Sequence, residues 1–281
     1  MIVKDRYLDI GIKIHVRLWP SAHKPADERA YVLVHGLASN ARTWDQVAAI
    51  LSQAGHSVAA IDQRGHGLSD KPDDGYDFET ITRDLHRVLD RVGWERPVLV
   101  GQSWGGNVLL EFGARYPGEA RSLIFVDGGF LNLQGRGKWE QVSVELRPPD
   151  LIGTPRSQIA ARIRQMHPGW SEAGIEATLA NFETLPDGTV RPWLTLDRHM
   201  QILKAMYEQD PVRLYAKIEE PVLICAADHG EQTMDSKRHL VQAAADALPQ
   251  ANVVWFPNAA HDIHVDQPEA LASTMMNFNT P

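Results

Sequence analysis

Six short apolar runs recur along the chain: AYVLVHG (30–36), HSVAAID (56–62), PVLVG (97–101), RSLIFVD (121–127), PVLICAA (221–227) and ANVVWF (251–256). They are rich in Val, Ile and Leu and run on without polar alternation, as strands buried on both faces do. Amphipathic stretches of helical period lie between them, among them TWDQVAAILSQAG (43–55), DLHRVLDRVGW (84–94) and GGNVLLEFGARYP (105–117). Gly55 and Pro117 stand where helices of this kind stop. Strand and helix alternating in this way confine the chain to the α/β class, with a mostly parallel, doubly wound sheet. Residues 7–19 read as paired strands around Asp9-Ile10-Gly11.

One interval breaks the rhythm. Residues 131–217 hold no comparable buried strand but several helix-like pieces, such as SQIAARIRQM and DRHMQILKAMYEQ, separated by Pro and Gly. A structureless loop of that length does not fit a compact domain. The interval is therefore expected to be a helical cap inserted into a core formed by residues 1–130 and 218–281.

Charge narrows the partners. Thirty-six acidic residues against 28 basic ones leave a formal charge of −8, and no Lys/Arg run or zinc-finger spacing offsets it. Nucleic acid is excluded as a ligand on these grounds. No segment approaches the roughly 18 uninterrupted apolar residues of a membrane span. The alternating stretch MIVKDRYLDIGIKIHV lacks a secretory apolar region, so a soluble, cytoplasmic protein is the expectation. The single cysteine, Cys225, lies within an apolar run and reads as a small buried hydrophobe.

The run PVLVG passes straight into GQSWGG (101–106), a G-x-S-x-G pattern between a strand and a helix. A sharp turn there pushes Ser103 into a strained backbone conformation and projects its hydroxyl above the sheet edge. Flanking side chains would strike neighbouring backbone, which favours glycine. The helix that follows aims its first N–H groups at the site, where they favour developing negative charge. Ser103 is thus a candidate nucleophile.

With this motif, VHGLASN (34–40), DQRGHGLSD (62–70) and NAAHDIHVDQPEAL (258–271) occur in an order that resembles the α/β-hydrolase superfamily. The likeness spans nearly the whole chain outside the insertion. It implies an α/β-hydrolase fold, helices on both faces of the sheet, and an oxyanion hole from the backbone N–H groups of Leu37 and Trp104. It also implies His261 as general base, with His264 shaping its loop, and structural roles for His35, Asp62, Arg64 and His66. The base needs an orienting acid. In this family the acid usually follows the next-to-last strand, at a position that falls on Gly230 here, and Asp228 stands two residues before it. Some members carry it after the preceding strand, where this chain has Asp127. Asp127 and Asp228 both remain candidates.

A serine nucleophile points to acyl transfer through a serine ester. The expected partner is a small to medium apolar carboxylic ester or lactone. No cofactor is implied, and no His/Cys cluster around His261 and His264 suggests a metal. Trp139, Trp170, Phe182, Trp193 and Met200 of the insertion are candidates for a hydrophobic substrate pocket. C–C bond cleavage or peracid formation by the same groups, or ligand binding without turnover, are the alternative readings.

Overall fold

The protein is described by a computed structural model covering residues 3–23, 29–230 and 234–278. Strands β1 (Lys4–Asp9), β2 (Lys13–Trp19), β3 (Ala30–Val34), β4 (Ser57–Ile61), β5 (Val98–Gln102) and β6 (Ser122–Val126) precede the insertion. Within the insertion lie β7 (Thr154–Pro155), β8 (Phe182–Thr184) and β9 (Thr189–Pro192). Strands β10 (Val222–Asp228) and β11 (Ala251–Pro257) follow it. The main sheet has the order β1-β2-β4-β3-β5-β6-β10-β11. The β1/β2 hairpin joins it antiparallel to β4, and every other pairing is parallel.

Both faces of this sheet are covered, which explains the unbroken apolar runs. Val32, Val34, Leu99, Leu123 and Phe125 join one core layer, together with residues of helices α2 (Phe78–Val92) and α3 (Trp104–Arg115). Their strand neighbours Tyr31, Leu33, Val98, Val100, Ile124 and Val126 join the opposite layer, with α1 (Asp45–Gln53). Successive residues of a strand point to opposite faces, so a strand between two layers has no polar side.

The insertion carries α4 (Trp139–Glu145), α5 (Arg156–Met166), α6 (Glu172–Leu179), α7 (Leu196–Glu208) and α8 (Val212–Tyr215). It also carries what the sequence reading missed, a small antiparallel sheet of order β7-β9-β8. Those strands are two to four residues long, too short to leave a legible periodicity. Ile159, Ile163, Trp170, Ile175, Leu179 and Val190 form a separate core there, which reaches the main body through Val265. Helices α9 (Met234–Ala247), α10 (Ile263–Asp266) and α11 (Pro268–Asn277) complete the chain. Among the described residues, no helix is long and apolar enough to cross a membrane.

The chain leaves β4 on one side of β3 and returns as β5 on the other, so the topology switches between β3 and β5. Open α/β sheets present their crevice at the carboxyl ends of the strands flanking such a switch. Val34 pairs with Gly101 there, which sets the turn after β3 beside the turn after β5. The start of α3 meets the end of β3 and the turn after β6 through bare backbone. A Cβ on Gly105 would lie 2.5 Å from the Val34 carbonyl oxygen, and one on Gly106 would lie 2.7 Å from the Gly129 nitrogen.

Gly106→Ala is therefore expected to lower stability by more than about 2 kcal/mol, because backbone must move. Gly135→Ala, where a Cβ meets nothing within 4 Å, is expected to stay within about 0.5 kcal/mol. Urea denaturation of the two variants checks the contrast.

Candidate active site

Ser103 sits between β5 and α3 with φ 52° and ψ −119°, a conformation that non-glycine residues avoid. Its N–H donates to the Val126 carbonyl at 2.9 Å, and its carbonyl accepts from Gly106 N–H at 2.9 Å. Strand end and helix start thus hold the strained turn from both sides. Trp104 opens α3, so its N–H is among those that no helical carbonyl can take. Its indole is buried and stacks on His66, with ring centroids 5.5 Å apart, away from the space above Ser103.

The turn after β3 is fixed by polar side chains beneath it. His35 Nδ1–H donates to the Gly36 carbonyl at 2.7 Å, while its Nε2 accepts from Gln63 N–H at 3.1 Å. His66 Nε2 accepts from Ala38 N–H at 3.3 Å, and Ala38 itself adopts φ 57°. Burial pushes the pKa of both histidines below the ordinary value, so they serve as neutral struts. Asp62 accepts from Ala41 N–H at 2.7 Å, Leu68 N–H at 2.9 Å and the His15 ring at 2.8 Å. Arg64 forms two hydrogen bonds with Asp84, at 2.7 and 3.2 Å. These four residues lock loops, and none of them lines the space above Ser103.

That space is a cavity of about 180 Å³ containing both Ser103 and His261. Leu37, Ala38, Ser39 and Thr43 wall it from the β3 side, and Gln102 from the β5 side. Thr178 and Asn181 come from the cap, and Asp262 and Val265 from the segment after β11. The cap is tied down beside it: Asn40 Nδ2 donates to the Ala177 carbonyl at 2.9 Å and to Asn181 Oδ1 at 2.5 Å.

His261 Nδ1 lies 2.6 Å from Asp127 Oδ2. Asp127 follows β6 with φ 48° and is almost fully buried. Its other oxygen, Oδ1, accepts from Ala227 N–H at 2.9 Å and pairs with Lys237 Nζ at 2.5 Å. Burial works against the charged carboxylate, but the His261 hydrogen bond and charge, aided by Lys237, hold its pKa below the ordinary value. Loss of water around the His261 ring pushes that pKa down. The hydrogen bond and charge of Asp127, with Asp262 beside it, outweigh this and leave it raised above 6.5. Asp228, the other candidate acid, faces away. Its oxygens accept from Gly230 N–H at 2.9 Å and Arg238 at 3.3 Å.

The His261 segment is braced by residues that no motif singles out. Gln102 Nε2 donates to Asp262 Oδ1 at 3.1 Å, and Ala260 N–H donates to Asp266 Oδ2 at 2.8 Å. Asp266 Oδ1 accepts from Trp170 Nε1–H at 2.9 Å, which couples the segment to the cap. His264 lies in α10, fully buried against Trp44 with centroids 4.4 Å apart. Burial pushes its pKa down to about 4.

The five cap residues expected in the pocket do not line this cavity. Trp170 stacks on His167 within the cap, and Trp139 packs against Tyr207 at 5.5 Å between centroids. Phe182 and Trp193 line a different cleft of about 230 Å³, with Arg17 and Arg42. Met200 faces a groove beside Tyr76 and Lys204. Trp139 and Met200 pack against the main core, Trp170 and Phe182 belong to the core of the insertion, and Trp193 lies under the Lys71 ammonium, while the smaller Thr178 and Asn181 line the cavity with Ser103.

Comparison with known proteins agrees with this architecture. The model of the alpha/beta hydrolase family matches residues 31–274. The chain is similar to 2-(acetamidomethylene)succinate hydrolase of Mesorhizobium japonicum, 25% identical over 98% of this chain and 94% of that protein. A serine hydrolase-like protein of Danio rerio is 37% identical over 92% of this chain and 83% of that one. The crystal structure of an E-2-(acetamidomethylene)succinate hydrolase superposes with a TM-score of 0.78 at 24% identity, covering 99% of each chain. The chain belongs to the alpha/beta hydrolase family.

Proposed function

We propose that the chain is a serine hydrolase that cleaves a small carboxylic ester or lactone through an acyl-serine intermediate. The observation that carries this reading is the 2.6 Å contact of Asp127 with His261 Nδ1, in a site where His261 shares a cavity with a strained Ser103. An ionised carboxylate can only accept, so Nδ1 carries the proton and Nε2 keeps its lone pair for the serine hydroxyl. Ser103 attacks the substrate carbonyl as His261 takes its proton. The oxyanion is held by the N–H groups of Leu37 and Trp104, the imidazolium protonates the leaving oxygen, and water activated by His261 releases the acid.

The cavity supports a narrower substrate than the apolar ester expected from the sequence. At about 180 Å³ it is smaller than sites for drug-sized ligands and suits an acyl group of a few carbons. Ser39, Thr43, Gln102, Thr178 and Asn181 offer hydroxyl and amide groups, against Leu37, Ala38 and Val265 as apolar wall. The described lining includes no lysine or arginine, and Asp262 brings a carboxylate. A substrate with carboxylates, such as the succinate in the name of the Mesorhizobium relative, would face repulsion here. A small, polar, uncharged ester or lactone is the best match.

A chromogenic short-chain ester is expected to give a burst and a Ser103-linked acyl adduct detectable by mass spectrometry, both absent in Ser103→Ala. A folded protein showing neither adduct nor turnover would overturn the reading, and activity confined to a diketone would transfer it to C–C cleavage. Asp127→Asn is expected to lower kcat by about 10⁴-fold, the size expected when the base is held in the wrong tautomer, and Asp228→Asn by less than about threefold.

Because His261 must be neutral to act and its pKa is raised, kcat/KM is expected to fall about tenfold per pH unit below a midpoint above 6.5. A pH–rate profile measures that midpoint. Asp262→Asn is expected to raise kcat/KM for an anionic ester, relative to a neutral ester of the same shape, by about five- to tenfold. Taking the ratio in a two-substrate competition cancels any general effect on His261.

A further inference from the structure

Asp127 has two side-chain partners. Its Oδ2 meets the His261 ring, and its Oδ1 meets Lys237 Nζ at 2.5 Å. Lys237 belongs to α9, on the far side of the carboxylate from the cavity, and its ammonium is also held by the Ala227 carbonyl at 2.7 Å. Its side chain is 17% exposed and that of Asp127 only 4%, so the pair lies where water screens weakly. Ala227 N–H already supplies Oδ1 with one hydrogen bond at 2.9 Å. The ammonium therefore adds a full positive charge to a carboxylate oxygen that has a hydrogen-bond partner.

We propose that Lys237 is a positioning residue of this site, a fixed cation that shares Asp127 with His261 and weakens the carboxylate's hold on the imidazolium. With Asp127 and Lys237 both charged, the three groups together are neutral before His261 takes a proton and carry one net positive charge afterwards. Without Lys237 the protonated histidine would face an uncompensated anion. The lysine thus keeps His261 a free base in more acidic solution than the Asp127 contact alone would allow. The same ammonium anchors Oδ1 to the end of β10, which leaves Oδ2 aimed at the ring. The inference rests on the roles given to Ser103, His261 and Asp127 above.

The other ionisable groups around His261 act in known directions. Asp262, adjacent in the chain, favours the imidazolium. His264 of α10 and His35 after β3 are driven toward the neutral form by burial. Lys237 opposes the imidazolium.

The test is the titration of His261 itself, read by the NMR signals of its imidazole in Ser103→Ala protein, with and without Lys237→Met. This readout needs no turnover, so it separates failure of the inference from failure of the hydrolase reading. Removal of the lysine charge is expected to raise the His261 midpoint by about one pH unit. In the active protein, the acid limb of kcat/KM is expected to move up by the same amount, so that activity on that limb drops about tenfold. Lys237→Arg is expected to return the limb to its native position. If the methionine variant fails to fold, Lys237→Gln removes the charge while retaining a donor for the Ala227 carbonyl. A fall in kcat at every pH with no displacement of the His261 midpoint would reduce Lys237 to a structural counter-ion and overturn the proposal. So would a downward displacement.

Discussion

Backbone meeting backbone at the carboxyl ends of β3, β5 and β6 is the constraint on which the site depends. Gly105 lies against the carbonyls of Val34 and His35, and Gly106 lies against Gly128 and Gly129. Side chains at these positions would drive the strand ends apart, and interiors packed to crystal-like density have little room to absorb the shift. Close approach brings Leu37, Ser103 and Asp127 to one edge of the sheet from three separate turns. Positive φ angles at Ser103 and Asp127 are the accompanying strain, offset by the burial of both strand ends.

Polar groups around this junction divide into two sets by what they support. Asp62, His35 and His66 are buried under the turns and face backbone donors and acceptors. They give the loops fixed shapes without reaching the cavity. Asp127 is equally buried, but one of its oxygens points to a histidine whose ring is half exposed to the cavity. The same burial that would penalise an isolated carboxylate makes its pairing strong, because few waters compete for it. Lys237, Ala227 and His261 together meet its needs from three parts of the chain.

The insertion contributes Thr178 and Asn181 to the space above Ser103. Its large aromatic residues pack within it and against the core, and its two cavity residues come from the last turn of α6 (Thr178) and from just beyond that helix (Asn181). Aromatic content is therefore a poor guide to the pocket here: Trp170 matters through its hydrogen bond to Asp266 rather than through contact with the cavity. Gln102 was hidden in plain sight beside Ser103. Its amide reaches the His261 segment across the end of the sheet, a contact that a five-residue motif cannot express.

Local rules were legible in the sequence wherever one segment carried all the information. Unbroken apolar runs imply strands buried on both faces, and G-x-S-x-G between a strand and a helix implies an exposed serine on a tight turn, because sterics at that scale involve only neighbours. The order of four motifs was enough to imply the α/β-hydrolase fold and to name as candidates Ser103 and His261, which share one cavity. Which carboxylate faces the histidine was decided only in three dimensions. Asp127 and Asp228 end adjacent parallel strands, and the sequence does not encode that Arg238 and the Gly230 N–H take up one while Lys237 and Ala227 orient the other. The cap's short strands and its small polar contribution to the cavity likewise belong to the tertiary structure, since they arise from packing between segments far apart in the chain.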